Sequence, residues 1–172
     1  MAKTYTASAI GVAFASNKSL LGLLNGHATR KVKIYRAWTL NNQTAAVTGV
    51  LTSMSLRMLS ALTGGTAVPP VAHDTGNTTV DLTSVTCVTG GTATQTAGNA
   101  LRIWMWSGDE PAVSSATNDE FQCLVPLNCI WDSTGDSNIE PITLNTGEGV
   151  HIVQPGANTI GIVDLFLEFT VN

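Results

Sequence analysis

Metal or general-base chemistry needs His, Cys, Asp and Glu at short, regular spacing, and the three histidines of this chain lack it. His27, His73 and His151 stand far apart, none with a carboxylate at ligand spacing. His151 is the most suggestive, because it follows Glu148 across the end of a Gly-Glu-Gly turn. The His-x-His-x-x-x-Glu arrangement that a cupin-type metal enzyme would use is missing, and a lone strand histidine is expected to be a surface or hydrogen-bonded residue. Cys87, Cys123 and Cys129 include no Cys-x-x-Cys pair and are expected as reduced, buried thiols. Asp109, Glu110, Asp119 and Glu120 do not follow calcium-loop spacing and read as a solvated loop. There is no Gly-x-Ser-x-Gly elbow, phosphate-binding loop or His-Glu-x-x-His helix. The expectation is a protein that is not an enzyme, with no catalytic residue, no cofactor and no metal. A cupin-type enzyme ranks behind both binding functions considered below.

What remains is a capacity to bind. Charged residues make up 12% of the 172, about half the usual share, while hydrophobic residues make up 44%. A free monomer needs charge to stay dispersed, so low charge points to a surface covered in an assembly. The charges are also segregated. Residues 1–73 carry seven basic side chains and no acidic one; residues 74–172 carry twelve acidic ones and only Arg102 as a base. The dense basic cluster, Arg30, Lys31, Lys33 and Arg36, is small for a nucleic-acid footprint, so nucleic acid is not expected as a partner. Two readings remain for it: a solvated strand face, or a complement to the acidic part of another subunit or partner shell. No stretch approaches the roughly 20 apolar residues that span a bilayer, and no membrane partner is expected. Residues 1–16 are too rich in Thr and Ser for a signal-peptide core, so export is not expected either.

These side chains must be positioned by strands. Val163, Leu165, Leu167, Phe169 and Val171 alternate with Asp164, Glu168 and Thr170, with Phe166 as the exception, which is a strand's period of two. Gly147 and Gly149 mark a tight turn before the apolar run 150–153, and Pro155-Gly156 stops that run. Further strands are expected over 4–14, 31–40, 47–59, 78–88, 100–106, 121–131 and 141–144. Residues 19–24 stay ambiguous between strand and a helical turn, and a helix over 53–62 competes with strand. Over 31–38, Lys31, Lys33 and Tyr35 are expected on one face, with Val32, Ile34 and Trp38 opposite. Pro126 predicts a sheet edge or a bulge. Residues 62–77 form a long loop over the sheets, and 107–120 a second one. The fold class is all-β: an antiparallel β-sandwich, jelly-roll-like, of 8–10 strands. It forms one domain over 1–172, with an N-terminal arm over 1–30 available for intersubunit contacts.

At Leu144-Asn145-Thr146-Gly147-Glu148-Gly149, the following short strand, the Pro155-Gly156 turn and the alternating last strand, the chain resembles small tailed-bacteriophage virion proteins. Residues 57–74, running through Gly64-Gly65 and Pro69-Pro70 to His73-Asp74, resemble the loop such proteins carry before their middle strands. Together residues 57–74 and 144–156 make up less than a fifth of the chain. The resemblance implies a virion structural protein, either a capsid cement or decoration protein or a head or tail accessory. It would be made in the host bacterial cytoplasm and would bind itself, as a homotrimer, and the major capsid protein or another virion protein. The interface candidates are Lys31, Lys33, Arg36, Val68, Pro69, Pro70, Val71, Trp104 and Trp106. For the two tryptophans, core packing competes equally with an interface. The alternative is a carbohydrate- or receptor-binding module of a tail or head fibre, since exposed Trp beside polar loops suits sugar stacking.

Overall fold

Short apolar alternations separated by turn residues can satisfy their backbone groups only by pairing with one another. In the computed structural model, which describes residues 3–42, 51–77, 79–96, 98, 100–107, 128–156 and 161–172, they do so in two antiparallel sheets. The strands in chain order are β1 (Lys3–Ala13), β2 (Ser19–Asn25), β3 (Val32–Asn41), β4 (Leu51–Thr63), β5 (Thr66–Ala67), β6 (Val71–Ala72), β7 (Val85–Thr89), β8 (Thr92–Gln95), β9 (Arg102–Ser107), β10 (Asn128–Asp132), β11 (Ile142–Leu144), β12 (Gly149–Val153) and β13 (Ile162–Val171). The front sheet runs β10-β3-β13-β1-β6, with β11 continuing along the β10 side of β3. The back sheet runs β5-β7-β2-β12-β4-β8, with β9 also pairing β4. The expected antiparallel β-sandwich is thus observed.

The core lies between the sheets. Tyr5, Ala7, Val32, Ile34, Leu165, Leu167 and Phe169 come from the front, and Leu21, Leu23, Met54, Leu56, Val150 and Ile152 from the back. The closing alternation holds as expected: Val163, Leu165, Leu167, Phe169 and Val171 are all buried. β13 lies between β1 and β3 in the middle of the front sheet, and its Phe169 ring packs against Tyr5 at 5.7 Å. Residues 19–24 and 53–62 are strand, since β2 and β4 both flank β12. The segment expected as an N-terminal arm supplies β1 and β2, one to each sheet.

Several expectations are corrected. The strand expected over 78–88 begins as a 3-10 turn, Thr79–Leu82, and becomes β7 only at Val85. In β1 the strand's alternation does not hold throughout. Gly11, at φ 66°, makes a bulge that changes the phase, so Ala9 and Phe14 are both buried while Ile10 is 62% exposed. Asp164 Oδ1 holds the bulge by accepting from Gly11 N at 2.7 Å and Asn42 Nδ2 at 2.8 Å. A register shift at Tyr35 acts likewise in β3: Val32 and Ile34 point inward before it, Ala37 and Thr39 after it. Trp38 therefore shares the outer face with Lys33, not the inner one with Val32 and Ile34.

The Gly-Glu-Gly turn is a docked structural joint. Gly147 has φ 77°, and its N–H donates to Asn25 O at 2.7 Å. Buried Asn25 returns the contact through Nδ2 to Leu144 O at 3.0 Å and to Arg30 O at 2.9 Å. Glu148 caps the turn, accepting from Asn145 N at 2.8 Å. At Gly149 a Cβ would stand 2.3 Å from Leu23 O and 2.5 Å from Leu59 Cδ1, so only glycine lets β2 and β4 close on β12 here.

Candidate assembly interface

The segregated charges meet inside one subunit. Asp81 is ion-paired to Lys3 at 2.7 Å and to Arg30, and Tyr5 Oη donates to it at 3.4 Å. Hydrogen bonds from Lys3 and Arg30 hold its carboxyl down to about 2. Arg36 lies between Asp132 at 3.5 Å and Glu168 at 3.6 Å, and also donates to Thr134 Oγ1 at 2.7 Å. The front-sheet registers explain this, because Asp132, Arg36 and Glu168 fall in one cross-strand row. Three of the seven N-terminal bases are thereby matched by acids of their own chain. Lys31 and Lys33 join no ion pair among the described residues.

The candidate residues do not form one site. Lys33 and Arg36 lie on the outer face of the front sheet, and Lys31 is exposed at the start of β3. Residues 64–77 strap one open side of the sandwich, pairing β5 to β7 and β6 to β1. Val68 is fastened there, its N–H donating to Cys87 O at 2.9 Å and its side chain packing on the core. Pro69 is exposed, Pro70 half-buried, and Val71 is 66% exposed beside Thr6. Trp104 lies across the molecule on β9, half-buried and packed against the core, with no hydrogen-bond partner for Nε1. The Trp106 side chain lies outside the described residues, as do Cys123, Pro126 and the acids of 107–120.

The β9 strand carries its exposed surface on the alternate positions. Ile103 is 65% and Met105 57% exposed, and Leu101 just before the strand is exposed as well. Among the described residues β9 pairs only β4, and its other edge has no partner among them. A hollow of about 260 Å³ runs beside it, lined by Arg102, Ile103, Trp104, Met105, Cys129 and Ile130. The sequence signal was the run of large residues on both faces of 101–106. Trp104 takes the core-packing alternative, because the sheet's placement decides which face of β9 is covered. β10 borders β3 and shifts register between Cys129 and Trp131; the edge or bulge expected at Pro126 lies outside the described residues.

The thiols divide. Burial pushes Cys87 up to about 12, as expected for an inert core thiol. Cys129 is a free thiol as expected but is exposed where burial was expected, and desolvation together with nearby Asp132 raises its pKa. His151 is buried in the middle of the back sheet, its Nδ1 2.8 Å from Ser19 Oγ and its Nε2 without a partner. Burial first, and Arg57 beside it, lower its pKa to about 4, so it is neutral at pH 7. Among the described residues no three His, Cys, Asp or Glu side chains converge as metal ligands, and no helix is long and apolar enough to cross a membrane. Compared with known proteins, the chain matches no family model, no curated protein and no solved structure.

Proposed function

We propose that this chain is a non-enzymatic structural subunit that binds copies of itself through the β9 side of the sandwich. The observation that carries the reading is the pair Ile103 and Met105, two large apolar side chains more than half exposed on a strand whose second edge has no partner among the described residues. Proteins normally protect such an edge with charge, proline or a covering element. Burying both would remove apolar area from water and give the backbone groups of that edge partners. The low charge content fits a surface of which part is covered. Orientation at the seam comes from shape and strand pairing more than from charge, because Asp81, Asp132 and Glu168 already occupy the nearby bases.

We extend the reading to a virion decoration or cement subunit, a homotrimer on a capsid or tail surface, on the strength of the two resembling segments. The order β1-β13-β3-β10 against β2-β12-β4-β9 supports taking the sandwich as a jelly roll, an architecture used by viral capsid domains but also by lectins and cupins. By itself that order assigns no function. A subunit that binds only a mature shell adds its binding free energy to the shell's stability.

Light scattering after gel filtration tests the self-association. The wild type is expected at three times the 18.0 kDa chain mass. Ile103→Lys with Met105→Lys should shift it to a monomer that still folds, checked by circular dichroism, because both side chains are already in water within one subunit. A monomeric wild type, or an oligomer that survives both lysines, overturns the assignment of β9.

A further inference from the structure

We propose that the outer face of the front sheet binds a neutral saccharide at Trp38. Aromatic side chains usually leave water when a sheet folds, yet Trp38 and Phe166 both point away from the core. They are cross-strand partners, stacked at 5.5 Å with 22° between their rings. Phe166 is the residue that interrupts the apolar alternation of β13, and Trp38 is turned outward by the register shift at Tyr35. Two independent departures from the strand pattern thus build one aromatic platform.

A hollow of about 360 Å³ opens beside this platform on the β10 side, lined by Arg36, Trp38, Cys129 and Asp132. Its polar groups are held in place yet keep unused capacity. Asp132 Oδ1 accepts from Thr134 N at 2.7 Å and Thr134 Oγ1 at 2.6 Å, and these bonds lower its pKa, so the group is ionised. Among the described residues Oδ2 has only the ion pair with Arg36 at 3.5 Å, which leaves it able to accept a hydroxyl. Arg36 is pinned by Thr134, Asp132 and Glu168, so little rotamer freedom remains to be lost on binding. A pyranose matches this layout: its C–H face lies on an aromatic ring while its hydroxyl edge meets fixed carboxylate and guanidinium groups. One base between two acids leaves the row net negative, which favours a neutral sugar over a uronic acid. The site does not depend on self-association.

An array of neutral hexose and N-acetylhexosamine oligomers, with uronic-acid oligomers as the charged comparison, tests this on the full chain. Isothermal titration then follows with the strongest neutral binder. Trp38→Ala should weaken binding about tenfold or more, and Trp38→Tyr should retain most of it. Asp132→Asn should weaken it too, with circular dichroism confirming that each variant is folded. No binding on the array, preference for the uronic acids, or an affinity unchanged by both Trp38→Ala and Asp132→Asn overturns the proposal.

Discussion

His151 couples the stability of the back sheet to pH, and the size of the coupling follows from its surroundings. Its ring lies on β12 between β2 and β4, with Ser19 at Nδ1 and Arg57 opposite it in register. Protonation would place a second positive charge beside the guanidinium in a site closed to water. The folded pKa is therefore about 4, against 6.5 for an unperturbed histidine. Between those two values the unfolded chain binds a proton that the folded chain refuses, so stability falls as pH drops from 6.5 towards 4 and levels off below. The two pKa values give a loss of about 2 kcal/mol at about pH 5 and about 3 kcal/mol at about pH 4, relative to pH 8. Asp81 acts outside this window. Its carboxyl is held at about 2, so its contribution is complete above its ordinary 3.8 and fades only below that. Urea unfolding at fixed protein concentration, followed by tryptophan fluorescence from about pH 8 to about pH 4.5, measures the effect. His151→Asn is the control, since its amide can keep the Ser19 hydrogen bond but cannot titrate. The wild-type curve should fall away from the variant's as pH drops. Parallel curves, or a variant that loses more than the wild type on acidification, would refute the reasoning.

Two further outcomes follow from the geometry. Gly149→Ala should cost about 3 kcal/mol, because its methyl would meet the Leu23 carbonyl backbone as well as Leu59; thermal melting should fall by several degrees, and an unchanged midpoint would contradict the close approach. Arg36→Glu should destabilise the fold by setting a third carboxylate between Asp132 and Glu168, whereas Lys33→Glu, which breaks no ion pair, should leave the melting temperature nearly unchanged; equal effects on melting would show that the cross-strand charge row does not matter.

The all-β class was legible in the sequence because its signals are local. Alternation in 163–171 reports burial of one strand face directly, and a Gly-Glu-Gly sequence reports a tight turn whatever surrounds it. The same locality explains what was missed. Register shifts at Gly11, at Tyr35 and within β10 reverse which side chains face the core, and each depends on how a neighbouring strand pairs. Trp38 is therefore outside, while Trp104 turns inward and leaves Ile103 and Met105 in water. The charge segregation was plain in the sequence, but its meaning was not. Coulomb attraction depends on distance in space, and only the folded sheets bring Asp81 to Lys3 and Arg30, and Arg36 to Asp132 and Glu168. The sequence by itself determined that strands would form and where many of them turn. Tertiary structure decided which faces are covered and which charges meet, because both depend on contacts between segments far apart in the chain.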